Sequence, residues 1–181
     1  GRPAEPEVMD AVEAELSILQ KIADLRAGDM KAALGYDGYL PSWKNHSVDL
    51  KYDFMEKLQN ITKTGYGIFA KYAFFRLDDG DIIPVAHPDF QKMDQLFEYK
   101  RERDLILKNT EALVSGAGAS NMLLYGDAGT GKSSTIKTVA HHLAPQGLRI
   151  IEVKKNQLYQ IPKLLEELSD NPLKFILFID D

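Results

Sequence analysis

Three short, largely apolar runs in the second half of the chain constrain the fold more than any other feature. They cover residues 122–125, 148–153 and 175–179. Runs of this length without regular polar alternation are typical of strands that are buried on both faces, as in a parallel sheet. Residues 132–143 and 162–168 lie between them and carry apolar side chains at helical spacing. Strands that alternate with helices predict an α/β fold in which right-handed crossovers connect parallel strands.

The first half of the chain has a different pattern and predicts a mainly helical region. Apolar residues recur at helical spacing between Val8 and Ala23, which indicates an amphipathic helix that ends by Gly28. A second helix is predicted over residues 47–61, with Ser47 as its N-cap.

A short hairpin and a domain boundary are predicted between the two halves. Residues 67–85 are rich in aromatic side chains and contain an Asp-Asp-Gly-Asp turn, so they predict a strand or short helix, a tight turn and a second strand. Pro84 confines that second strand to an edge of a sheet. Pro88 interrupts the pattern before a helix that is predicted over residues 99–114. The domains that we expect are residues 1–88 and residues 89–181.

Composition and charge exclude several classes of protein. Hydrophobic residues make up 44% of the chain and charged residues 27%, which are proportions of a folded globular protein and not of a disordered one. The chain has no cysteine, so disulfide scaffolds and thiolate metal sites are excluded. No apolar run approaches the roughly 18 residues that cross a bilayer, and we expect a cytoplasmic location. The net charge of −5 predicts no general attraction to nucleic acid or to an anionic membrane.

A glycine-rich segment follows the first apolar run. Residues 126–133 read GDAGTGKS and match the P-loop or Walker A pattern G-x-x-x-x-G-K-[ST]. Glycines let backbone N–H groups close around phosphate oxygens, and the positive end of the following helix adds to the attraction. Lys132 is predicted to reach the β- and γ-phosphates of ATP, and the Ser133 hydroxyl is predicted to bind Mg²⁺. The predicted nucleotide-binding residues are Gly126, Asp127, Ala128, Gly129, Thr130, Gly131, Lys132, Ser133 and Ser134.

Two aspartates stand where a catalytic carboxylate is expected. The apolar run 175–179 leads into Asp180 and Asp181, at the carboxyl end of a predicted parallel strand. Open α/β sheets bind their ligands at this end. Asp180 is therefore predicted to hold Mg²⁺ through a water, as a Walker B aspartate does, and Asp181 to orient or deprotonate the attacking water. Taken alone, the pair is also consistent with solvated aspartates at a strand end, and the phosphate-loop motif favours the catalytic interpretation.

The second half of the chain resembles the first half of an AAA+ ATPase domain. The resemblance rests on three segments, which are NMLLYGDAGTGKSSTIKTVAHHL, GLRIIEVKKNQL and LKFILFIDD. Together they are similar to an uncharacterised bacterial family of predicted AAA+ ATPases, a domain of unknown function. The resemblance implies a partial P-loop NTPase sheet that binds ATP or ADP with Mg²⁺, and a homo-oligomer that hydrolyses ATP to move or remodel a protein partner. It also implies that Leu96, Phe97 and Tyr99 lie near the adenine base.

Two features depart from the AAA+ pattern. Glutamate usually follows the Walker B aspartate, whereas Asp181 is one methylene shorter and must hold the attacking water closer. The sequence also stops before any sensor, arginine finger or helical lid, so we expect a longer protein whose full activity needs those parts and a neighbouring subunit. Two alternatives remain open, namely a nucleotide-dependent switch or scaffold with little turnover, and a small-molecule kinase that uses the same loop.

Overall fold

The computed structural model describes residues 5–90, 100–127 and 129–180, and the chain divides into two compact units. Unit 1 comprises Gly1–Gln59 and unit 2 comprises Asn60–Asp181. The helices of unit 1 are α1 (Pro6–Asp24), α2 (Ala27–Leu34) and α3 (Leu50–Gln59). The helices of unit 2 are α4 (Ile61–Thr64), α5 (Ile68–Lys71), α6 (Lys100–Ser115), α7 (Lys132–Leu143) and α8 (Ile161–Leu168). The strands of unit 2 are β1 (Phe74–Asp78), β2 (Asp81–Pro84), β3 (Leu148–Lys154) and β4 (Lys174–Asp180).

Unit 1 is helical, and side-chain hydrogen bonds hold the segment between α2 and α3 against α1. The Gln20 side chain donates to Val48 O at 2.8 Å and accepts from Leu50 N at 3.0 Å. Trp43 Nε1 donates to Leu25 O at 3.1 Å, just beyond the end of α1. These bonds link the two longer helices of unit 1 through polar groups, and none of the described residues of α1 or α3 is fully buried.

The predicted helices of unit 1 form, but two details differ. The amphipathic helix ends at Asp24, before the predicted limit at Gly28. The predicted N-cap, Ser47, is wrong, because α3 begins only at Leu50. Asp49 takes this role, since its Oδ1 atom accepts from Tyr52 N at 2.9 Å and satisfies a donor in the first turn.

Unit 2 is an α/β structure built on a four-stranded mixed sheet in the order β2-β1-β3-β4. β1 and β2 are antiparallel, whereas β1, β3 and β4 run parallel. The predicted α/β class is confirmed, and the apolar runs 148–153 and 175–179 form β3 and β4. Because Lys154 lies opposite Asp180, the carboxyl ends of β3 and β4 lie at the same edge of the sheet.

Both faces of the sheet are buried, because successive residues of β3 point to opposite sides. On one face Ile150 packs in a cluster with Val139 and Leu143 of α7. On the other face Ile151 packs in a cluster with Leu164 of α8. Apolar contacts thus fix α7, the helix that follows the glycine-rich segment, to the sheet.

The hairpin forms as β1 and β2, and it belongs to the main sheet. Its two turn residues, Asp79 and Gly80, have φ of 49° and 91°, and a type I′ turn requires positive φ at both. Pro84 lies in the edge strand β2, as predicted. β1 pairs with β3, so its ladder hydrogen bonds tie the hairpin to the C-terminal strands. The chain accordingly divides into its two compact units between residues 59 and 60, and the domain boundary after residue 88 stays a prediction.

Arg149 holds the residues that precede the hairpin against the sheet. The residue is only 6% exposed, and its guanidinium donates to Phe69 O at 2.8 Å, Thr64 O at 3.1 Å and Ala144 O at 3.0 Å. Burial lowers the pKa of the guanidinium from its ordinary value, because charge is disfavoured away from water. These carbonyls compensate for that burial and join α4 and α5 to the start of β3.

Gly147 makes the close approach of α4 possible. Its φ is +101°, and a Cβ at this position would overlap the carbonyl oxygen of Thr62. Only a residue without a side chain therefore fits between α4 and β3.

One predicted strand does not form. Residues 122–125 pair with no described strand, and Leu123 and Tyr125 are 88% and 89% exposed. These residues join no described ladder, although the outer edge of β4 is open among the described strands. The glycine-rich segment therefore follows an extended stretch of chain, although the helix predicted after it forms as α7 with the predicted bounds.

Candidate functional site

The glycine-rich segment turns directly into α7. Gly126, Gly129 and Gly131 have φ of 144°, 80° and 76°, values that residues with side chains rarely adopt. Gly131 is the N-cap of α7, and the helix begins at Lys132. The first N–H groups of a helix have no partner within the helix. The segment therefore presents backbone donors and the positive end of a helix dipole at one place, an arrangement that favours an anion.

The Lys132 ammonium lies within this turn. Its Nζ atom donates to Asp127 O at 2.7 Å and to Gly126 O at 2.9 Å, and it lies 3.4 Å from Thr130 Oγ1. Thr130 Oγ1 itself donates to Asp127 O at 2.9 Å. Two side chains thus converge on one carbonyl and close the turn on itself. Since a charged phosphate oxygen is a stronger acceptor for an ammonium than a neutral carbonyl, these bonds can be exchanged for a ligand.

Ser133 and Asp180 are in direct contact, although 47 residues separate them in the sequence. Ser133 Oγ donates to Asp180 Oδ2 at 2.9 Å. Ser133 lies in the first turn of α7, and Asp180 is the last residue of β4, at the carboxyl end of the parallel strands. The packing of α7 on the sheet therefore brings a hydroxyl, a carboxylate and the lysine of the turn to one edge of unit 2.

The remaining predicted site residues have different positions. Ser134 follows Ser133 in the first turn of α7 and is half-buried, and Asp127 is exposed at the rim of the turn. Five predicted residues lie outside the described part of the chain, namely Leu96, Phe97, Tyr99, Ala128 and Asp181. The predicted contact with adenine and the predicted general base therefore stay predictions.

The oxygen donors at this edge suit a magnesium ion that is held mainly by its other ligands. No described group of three His, Cys, Asp or Glu side chains forms a complete metal site. Ser133 Oγ and Asp180 Oδ2 supply a hydroxyl and a carboxylate oxygen, which are hard donors. Mg²⁺ typically takes one or two protein ligands and completes its octahedron with waters and phosphate oxygens. The donor set therefore fits Mg²⁺ that arrives with a polyphosphate.

An ion pair about one helical turn after Ser133 on α7 was not predicted from the sequence. Lys137 Nζ lies 3.1 Å from Glu152 Oε2, and their side chains are 25% and 40% exposed. Lys137 is four residues after Ser133, so both project from one face of α7, and this spacing was the available signal. Glu152 interrupts the apolar run of β3 two residues before its end, which was a second signal.

A small cavity of about 80 Å³ adjoins this ion pair. Lys137 and Glu152 line it from one side, and Val85, His87 and Asp89 line it from the segment that follows β2. Among the described residues that line this cavity, none belongs to the glycine-rich turn. The ion pair is therefore separate from the turn but attached to the same helix.

These features define an α/β protein with a four-stranded mixed sheet and a glycine-rich turn at the start of a helix. A family model described as "Protein of unknown function (DUF815)" matches residues 69–181, and the chain belongs to this family. The match begins within α5 and includes the hairpin together with β3 and β4. The predicted resemblance to a domain of unknown function is confirmed.

No curated protein and no solved structure matches the chain. None of the described helices combines the length and the hydropathy that a crossing of a membrane requires.

Proposed function

We propose that this chain binds ATP with Mg²⁺ and forms part of a P-loop ATPase of the AAA+ type. One observation carries the proposal, namely the hydrogen bond of 2.9 Å between Ser133 Oγ and Asp180 Oδ2. The two residues were assigned to Mg²⁺ from separate motifs, and a chance pair of motifs has no reason to meet in the fold. Their contact supports a single site at the carboxyl edge of the sheet, where α/β proteins bind ligands.

The glycine-rich turn supplies the phosphate-binding part of the proposed site. Its backbone donors and the start of α7 would hold the phosphate oxygens. Lys132 would transfer its ammonium from the carbonyls of Gly126 and Asp127 to the β- and γ-phosphates. These two carbonyls hold the Lys132 ammonium within the turn that would bind the phosphates. The ammonium would therefore move only a short distance when ATP binds.

Ser133 and Asp180 would hold the magnesium ion, which neutralises phosphate charge during hydrolysis. Asp181 would orient the attacking water, and Leu96, Phe97 and Tyr99 would contact the adenine. We propose that the whole protein acts as a cytoplasmic homo-oligomer that uses hydrolysis to move or remodel a protein partner.

Calorimetric titration with ATP and ADP, each with Mg²⁺ and with EDTA, tests the proposal. The unaltered chain should bind ATP, and Mg²⁺ should tighten the binding. Lys132→Ala should weaken ATP binding by about 10- to 100-fold, because a hydrogen bond to a charged group contributes about 1.5–3 kcal/mol. Lys174→Ala removes a lysine from the opposite end of β4 and should leave the affinity unchanged. Equal affinity for ATP in the unaltered protein and in Lys132→Ala would refute the assignment of the turn.

Asp180→Asn tests the metal part of the site separately. The amide keeps the shape of the carboxylate but lacks its charge, so ATP should bind as before in EDTA while the gain from Mg²⁺ is largely lost. If both affinities fall equally, Asp180 has a structural role only. Binding without turnover in the full-length protein would instead favour a nucleotide-dependent switch.

A further inference from the structure

We infer that Lys137 is a positioning residue, which through its ion pair with Glu152 holds α7 at the correct distance from β4 for Mg²⁺ to bind. The inference rests on the proposed function, because it concerns the same Ser133 and Asp180 oxygens. It assigns a role to an ion pair that touches neither the nucleotide loop nor the metal-binding side chains.

Two contacts attach α7 to the carboxyl half of the sheet on the same side. Ser133 Oγ donates to Asp180 Oδ2 of β4 at 2.9 Å, and Lys137 Nζ lies 3.1 Å from Glu152 Oε2 of β3. Ser133 and Lys137 are separated by about one helical turn and share a face of α7. Apolar contacts of Val139 and Leu143 hold the C-terminal half of α7 to the sheet. The two polar contacts hold its N-terminal half, where the Ser133 oxygen lies.

The register of the sheet places the second contact next to the first. Glu152 lies opposite Phe178 on β4, and Asp180 is two residues further along the same strand. Phe178 and Asp180 therefore point to the same side of the sheet. Lys137 Nζ lies 5.9 Å from the centre of the Phe178 ring, at the outer limit of a cation–π contact. The Lys137 ammonium thus contacts Glu152 of β3 and lies near Phe178 of β4, two residues before Asp180.

The ion pair gains importance when a metal ion is bound. Ser133 and Asp180 then have to hold the same ion, Asp180 through a water, so the position of α7 relative to β4 decides whether both can reach it. The Lys137–Glu152 ion pair is independent of those oxygens and keeps its geometry. Its effect should therefore be larger for ATP with Mg²⁺ than for ATP alone.

Removing the pair should weaken Mg²⁺-dependent binding selectively. Lys137→Met should raise the Kd for ATP with Mg²⁺ about three- to fivefold, which corresponds to the loss of one partly exposed ion pair. The Kd for ATP in EDTA should change less than about twofold. Lys137→Arg should behave as the unaltered protein, and the double variant Lys137→Glu with Glu152→Lys should recover most of the loss.

Glu152→Gln separates positioning from simple electrostatics. Losing the positive charge of Lys137 would weaken binding of an anion, whereas losing the negative charge of Glu152 would strengthen it. Positioning predicts that both single variants weaken binding of ATP with Mg²⁺. Glu152→Gln also preserves side-chain volume, so it tests the pair even if Lys137→Met does not fold. Lys174→Met, which removes a lysine from the far end of β4, is the control for charge and should have no effect.

A readout without nucleotide completes the test. In the unliganded protein, hydrogen exchange of the first turns of α7 should increase in Lys137→Met and in Glu152→Gln alike, while exchange in α8 stays unchanged.

The possible outcomes distinguish the inference from the proposed function. Opposite effects of Lys137→Met and Glu152→Gln on binding, or equal loss with Mg²⁺ and with EDTA, would overturn the positioning role. The proposed function would still stand if Lys132→Ala weakens ATP binding as expected. If the unaltered chain binds no nucleotide, both the proposed function and this inference fail.

Discussion

Arg149→Met should destabilise unit 2 by several kcal/mol. Arg149 is almost fully buried. Its guanidinium donates to the carbonyl oxygens of Thr64, Phe69 and Ala144, which lie in three separate segments. Methionine fills a similar volume and cannot donate a hydrogen bond. The substitution therefore leaves the carbonyls of Thr64 and Phe69 without this donor, whereas Ala144 O keeps its bond from Gly147 N at 3.1 Å.

The expected loss follows from two opposing contributions. Each buried carbonyl that loses its partner costs about 1–3 kcal/mol, so two of them cost about 2–6 kcal/mol. Removal of a desolvated charge returns part of this amount, because burial disfavours the guanidinium. We expect a net loss of about 2–4 kcal/mol in the free energy of unfolding of unit 2, a large share of the roughly 5–15 kcal/mol that stabilises a domain.

Urea unfolding followed by far-ultraviolet circular dichroism measures this loss. For an m-value of about 2 kcal/mol/M the midpoint should fall by about 1–2 M. Hydrogen exchange of residues 61–71 should increase more than that of α7, because α4 and α5 lose their connection to the sheet. Arg76→Met is a matched control, since Arg76 lies on neighbouring β1 and its ion pair with Asp78 is exposed. A midpoint for Arg149→Met that equals that of the control, or exchange in residues 61–71 that does not change, would refute the reasoning.

Three further substitutions test the turn and the approach of α4. Gly147→Ala should cost at least about 2 kcal/mol in the free energy of unfolding, because a side chain is strained at positive φ and its Cβ overlaps Thr62 O. A variant as stable as the unaltered protein in a urea titration would contradict this expectation. Thr130→Val removes the hydrogen bond to the Asp127 carbonyl and should weaken ATP binding about three- to tenfold in calorimetry. Thr130→Ser keeps the hydroxyl and should keep the affinity. Equal affinities of the two variants would exclude a role for the hydroxyl. Ser133→Ala should bind ATP normally in EDTA but gain little from Mg²⁺, and a full gain from Mg²⁺ would show that its oxygen is not a ligand.

The sequence predicted those parts of the fold that depend on local patterns. α7 has the predicted bounds because its apolar residues and the glycines before it specify both the buried face and the start of the helix. β3 and β4 follow from apolar runs that can be buried only within a sheet. The turn at Asp79 and Gly80 follows from residues that tolerate positive φ.

Pairing partners, in contrast, could not be predicted from local pattern. Residues 122–125 have the composition of a strand and pair with no described strand, because local composition does not specify a pairing partner. The hairpin was assigned to the N-terminal domain because Pro88 interrupts the pattern, yet Phe74 of β1 pairs with Ile150 of β3. Arg149 was missed for the same reason, since its acceptors Phe69 O and Thr64 O lie 80 and 85 residues away. They are backbone carbonyls, which no residue type in the sequence indicates.

The residues of the candidate site were likewise predictable from local motifs, whereas their contacts with one another were not. The glycines and Lys132 were identified by their motif, and Asp180 by its place after an apolar run. Their meeting depends on how α7 packs on β4, and the Lys137–Glu152 ion pair appears only once that packing is known.

The hairpin at the edge of the sheet also has a consequence for solubility. An open strand edge is a template on which other chains can add strands and aggregate. β2 is only four residues long and ends in Pro84, which has no N–H to offer, so it closes this edge of the sheet against extension. A fragment that began after the hairpin, at residue 89, would leave the backbone of β3 unpaired on this side next to apolar Ile150 and Ile151. Such a fragment should aggregate, and fragments intended for expression should therefore begin before α4.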